Sequence, residues 1–227
     1  KGRLRLRFIR LVSFVDQELF AVECRVESLG FSGKLSIRSE LNANVRNFTD
    51  PGDPRVNSGS GIMLKRISAG CEGEVMSAEV ETIHSRRRAL CAVMHDIPGS
   101  FDRENDGKLT FRSELELVDG QAAAFHKYCI YRELSGSDDK ADAVSCLKGC
   151  AAEGFDVMLS RQREYLDGFW KHSRVTVDGD PELQTQLDLC LYGMLCSAGT
   201  DGNSNVAAKG LSGEGYEGHY FWDTEIY

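Results

Sequence analysis

From Gly210 to Tyr227 the chain reads GLSGEGYEGHYFWDTEIY. Four glycines fall within nine residues, and then Tyr216, His219, Tyr220, Phe221, Trp222, Asp223 and Glu225 crowd together. A solvated tail does not carry so much aromatic surface, and an amphipathic helix does not carry so many glycines. The residue types describe a loop that folds close against something and presents aromatic rings beside carboxylates. Elements elsewhere in the chain must position such a loop.

The 227 residues fit one large domain or two smaller ones, with 41% hydrophobic and 27% charged residues as in ordinary globular proteins. A chain of this length buries enough surface to need no metal or disulfide staple. No run approaches the roughly 18 apolar residues of a membrane span, and no leader-like segment heads the sequence. The net charge of −8 speaks against a nucleic-acid partner. The charge is uneven: residues 1–60 hold ten Lys/Arg against seven Asp/Glu, and the remainder seventeen against twenty-eight. Arg3, Arg5, Arg7 and Arg10 supply most of the basic excess and read as the wet side of a strand. Eight cysteines sit mostly in apolar runs such as Leu90-Cys91-Ala92-Val93, which suits buried free thiols in a reducing cytoplasm. No His/Cys pair at finger-like spacing completes a zinc site, so no metal is expected.

Residues 1–134 read as strand after strand. Leu4, Leu6, Phe8, Val12 and Phe14 alternate with Arg or polar residues, and Phe20, Val22, Cys24 and Val26 alternate with Glu23, Arg25 and Glu27. Further strands are predicted over 35–41, 62–68, 74–83, 89–97, 108–118 and 122–132. Turn chemistry separates them, as in Asp50-Pro51-Gly52-Asp53-Pro54, Asn57-Ser-Gly-Ser-Gly61 and Asp119-Gly120. About eight strands at this spacing imply an antiparallel β-sandwich. Asp102-Arg-Glu104-Asn-Asp106-Gly107 imitates a calcium loop but has Ser113 where the bidentate Glu belongs, so it reads as a hairpin turn. Asn47-Phe48-Thr49 fits a glycosylation sequon, which matters only in a secreted protein.

At Ser135-Gly136-Ser137-Asp138-Asp139 the period changes to that of helices. Val144, Leu147, Ala151, Phe155, Met158, Leu166, Phe169 and Trp170 fall at three- and four-residue steps, with Gly154 expected to end one helix. Trp170 reads as a core residue rather than a binding platform. Asp180 then caps a helix whose first residue is Pro181 and whose apolar face comprises Leu183, Leu187, Cys190, Leu191, Met194 and Leu195, with a stop at Gly199. The expected organisation is a sandwich over 1–134, a helical linker over 135–175 and the beginning of a helical domain over 176–227.

Against this layout, Tyr216-Glu217-Gly218-His219-Tyr220-Phe221-Trp222-Asp223-Thr224-Glu225 with its Gly-rich lead resembles the signature of glycoside hydrolase family 65. That family includes inverting phosphorylases of α-linked glucose disaccharides such as maltose, trehalose and kojibiose, and some hydrolases. The resemblance implies an N-terminal β-sandwich, a helical linker and an (α/α)6 barrel, here only begun. It also implies that Trp222 and Asp223 line the subsite for the non-reducing glucosyl unit, with Tyr216 and His219 as further substrate-binding residues. An indole suits the apolar face of a sugar, a carboxylate accepts hydrogen bonds from adjacent hydroxyls, and Gly213, Gly215 and Gly218 allow close backbone approach. For His219 a structural hydrogen bond is the competing reading. Glu225 is not the general acid, because in this family the acid Glu comes from a later segment, beyond Tyr227.

The partners implied by the resemblance are a disaccharide and inorganic phosphate as co-substrate, with no cofactor, no metal, no membrane, and the homodimer common in the family. Two other readings stand beside the phosphorylase: a hydrolase of the same family, and a non-catalytic carbohydrate-binding β-sandwich in which the aromatic cluster only packs.

Overall fold

The computed structural model describes residues 2–46, 50, 52, 61–103, 107–136, 139–199 and 206. The sequon at 47–49, the predicted turn residues 51 and 53–60, the stretch Glu104-Asn105-Asp106 and residues 207–227 lie outside the described residues. The chain divides into one unit of residues 1–45 and 64–165 and a second of 46–63 and 166–227.

Among the described residues, nine strands form the body of the first unit: β1 (Arg3–Val12), β2 (Leu19–Leu29), β3 (Gly33–Leu41), β4 (Leu64–Glu72), β5 (Val75–Thr82), β6 (Arg88–His95), β7 (Ser100–Arg103), β8 (Leu109–Leu117) and β9 (Ala122–Leu134). All their pairings are antiparallel, in a six-stranded sheet ordered β1-β2-β9-β6-β5-β4 and a three-stranded sheet ordered β3-β8-β7. The expected antiparallel sandwich is therefore present, with one strand more than the sequence suggests. That strand is β7, four residues with Phe101 as its single apolar side chain. It is too short to show a period of two. The hairpin predicted after it exists as the β7–β8 pair, with Arg103 opposite Leu109.

The large sheet is covered on both faces. On one, the small sheet contributes Leu41, Leu109 and Phe111 to a core with Met76, Ala78, Val93 and Cys129. On the other lie two helices, α1 (Asp139–Glu153) and the first part of α2 (Phe155–Ser173). Ala143, Leu147, Cys150, Phe155 and Met158 bury themselves there among Leu11, Leu19, Ala21, Leu90, Tyr128 and Ile130. Asp139 starts α1 by accepting hydrogen bonds from the backbone of Ser135 and Gly136, which hold its carboxyl below the usual range. Gly154, at φ 91°, separates the helices and donates its N–H to the Cys150 carbonyl. Gln162 of α2 receives the N–H of Phe14 and donates to the Val12 carbonyl, while Tyr165 stacks on Phe14 at 5.2 Å.

Three sequence expectations are corrected, the second of them by the double coverage of the large sheet. In β1 the inward residues at the helix-facing end are Ile9 and Leu11, and Val12 is 70% exposed. The alternation read from Leu4 through Phe14 thus changes face. In β2 Glu23 does not point to solvent but is only 2% exposed. The cysteines are all free, yet only Cys24, Cys129 and Cys150 are buried, whereas Cys71, Cys146 and Cys190 are exposed.

In the second unit, α3 (Pro181–Ser197) begins where the sequence places it. Asp180 Oδ1 accepts the N–H groups of Glu182 at 3.1 Å and Leu183 at 3.0 Å, and Pro181 takes the first turn. No residue of α3 is buried, and Leu183, Leu189 and Met194 are exposed.

Candidate functional site

Tyr216, His219, Trp222 and Asp223, together with the rejected Glu225, all lie in 207–227, outside the described residues. What the structure describes is the segment leading to them. Between α2 and α3, Gln184 ties the connection together: its Oε1 accepts the Val177 N–H at 2.8 Å, and its Nε2 donates to the Val175 carbonyl and to Asp188 Oδ1. Arg174 donates to the other oxygen of Asp188 at 3.2 Å. A cleft of about 470 Å³ lies along this turn, lined by Arg174, Thr176, Val177, Gly179, Asp180, Pro181 and Gln184. Asp180 is occupied as a helix cap and Arg174 and Gln184 as ties, so this cleft is a scaffold and offers no acid–base pair. Trp170 is half-buried and meets Phe169 edge-on at 4.9 Å.

In the sandwich one cluster looks like acid–base machinery. His126 lies between two carboxylates, with Nδ1 on Asp96 Oδ2 and Nε2 3.3 Å from Glu23 Oε2. Glu23 also receives Arg25 through Nε at 2.7 Å and Nη2 at 3.0 Å, and these bonds hold its carboxyl below the usual range against the opposing effect of burial. The His126 ring packs on Phe155, centroids 5.2 Å apart, at the start of α2. The groups around it are the Phe155 and Tyr128 rings, two carboxylates and a guanidinium, and the cluster fastens helix to sheet. Sequence alternation missed it because Glu23 and His126 pair across β2 and β9. Among the described residues no group of three His, Cys, Asp or Glu could hold a metal ion.

Comparison with known proteins identifies the family. The family model described as "Glycosyl hydrolase family 65, N-terminal domain" matches residues 1–169, and that of the "Glycosyl hydrolase family 65 central catalytic domain" matches residues 188–227, the stretch containing the aromatic-carboxylate motif. The chain is 40% identical over 235 residues to an α,α-trehalose phosphorylase of Geobacillus stearothermophilus, covering 99% of this chain and 30% of that protein. A kojibiose phosphorylase of Halothermothrix orenii is 27% identical, again over 98% of this chain and 30% of its own length. A solved structure named for kojibiose phosphorylase, from the human microbiome, superposes on the whole chain with a TM-score of 0.88 at 21% identity and 30% of its own length, a likeness of fold. The chain thus spans about 30% of the length of these relatives. With the first model covering the sandwich and both of the helices that pack on it up to Phe169, the chain belongs to glycosyl hydrolase family 65.

Proposed function

We propose that the full-length protein is an inverting glycoside phosphorylase, cleaving an α-linked glucose disaccharide with phosphate to β-glucose 1-phosphate and glucose. The observation that carries this reading is the 40% identity, along nearly the whole chain, to an α,α-trehalose phosphorylase, joined to the intact Tyr216–Glu225 motif. α,α-Trehalose is accordingly the first substrate to test, and kojibiose the second. In the proposed site Trp222 covers the apolar face of the non-reducing glucosyl unit and Asp223 accepts hydrogen bonds from adjacent hydroxyls, with Tyr216 and His219 beside them. A protonated Glu beyond Tyr227 gives its proton to the glycosidic oxygen. Phosphate attacks the anomeric carbon from the opposite face, which inverts the configuration. Phosphate brings its own negative charge and needs no protein base, whereas attacking water does. No cofactor takes part, and the free thiols fit a cytoplasmic setting.

The test is to incubate the full-length protein with trehalose or kojibiose, with and without phosphate, and to follow the anomeric protons by NMR. Phosphate-dependent appearance of β-glucose 1-phosphate supports the reading. Phosphate-independent release of glucose makes the protein a hydrolase, and no turnover of any α-linked glucose disaccharide, maltose included, under either condition removes both enzyme readings.

A further inference from the structure

We draw no further inference here: the strongest candidate, the cleft of about 640 Å³ between α1 and the β4–β5 hairpin with Lys140 and Lys148 on one wall, carries none because no polar side chain lining it is buried, Glu72 shares it with the two lysines, and nothing in the structure shows what covers it.

Discussion

His95 lies face to face with Phe111, ring centroids 4.0 Å apart and planes 7° apart, and neither of its ring nitrogens has a hydrogen-bond partner among the described residues. Burial, with Lys127 adding to it and Asp96 opposing, pushes its pKa down from 6.5 to about 4. Native His95 is therefore neutral where the unfolded chain begins to take up a proton. Stability is expected to fall as pH drops from 6.5 towards 4, by at most about 3 kcal/mol from this group, and to be indifferent to it above 6.5. His95→Leu should flatten that limb, and urea midpoints of the full-length protein at about pH 7 and pH 4.5 measure it.

Glu23 acts in a different window. Its Arg25 and His126 partners lower its pKa from 4.5, so its contribution is complete above 4.5 and is lost as pH falls through the lower folded value. Glu23→Gln weakens the charge-assisted bonds without changing shape and should cost about 1–2 kcal/mol at neutral pH. The deficit relative to wild type should shrink as pH falls below 4.5 and through the lowered folded value, where the wild-type carboxylate takes up its proton. Arg25 is half-exposed and remains solvated in the variant, which keeps the cost below that of a fully stranded charge.

Two glycines should respond to alanine with opposite signs. A Cβ on Gly99 would overlap the Phe111 ring and stand 2.5 Å from the Arg112 carbonyl oxygen. Gly99→Ala is expected to destabilise by roughly 1–3 kcal/mol through overpacking. Gly149 is an exposed residue inside α1 whose added Cβ meets nothing within 4 Å. Gly149→Ala should stabilise by about 0.5–1 kcal/mol. Thermal unfolding of both variants beside wild type decides the matter.

At the proposed sugar subsite, Asp223→Ala in the full-length enzyme should lower kcat/KM for the disaccharide roughly 10²-fold, the loss of two charge-assisted hydrogen bonds. The unfolding temperature should stay close to that of wild type. An unchanged kcat/KM would take Asp223 out of the subsite.

Much of the fold can be read from residue types alone. Leu35, Ile37 and Ser39 alternate with Ser36, Arg38 and Glu40 because β3 has one wet face, and the burial of β3 follows that alternation. Gly154 and Asp180 mark helix boundaries through local chemistry, which needs no tertiary context. Glu23 is different. Its burial comes from a helix far along the chain, and no local pattern announces that β2 is covered twice. The exposure of Leu4, Leu6 and Phe8 is likewise a matter of how far the small sheet reaches. The candidate site is legible as a motif, since Tyr216, His219, Trp222 and Asp223 stand at fixed spacing. What those side chains face depends on segments distant in sequence, which spacing does not encode.

Strand β9 is the last of the nine to be synthesised, yet it sits in the middle of the large sheet, between β2 and β6. The β1–β2 hairpin and the β4–β5–β6 meander close locally, but among the described residues no strand pairs with both until β9 has left the ribosome. Before then each carries an open apolar flank, and the loop that β9 closes onto β2 spans most of the unit. Assembly of this sheet is thus a late, non-local event of the slow kind, and a nascent chain paused before β9 is the form most in need of a chaperone.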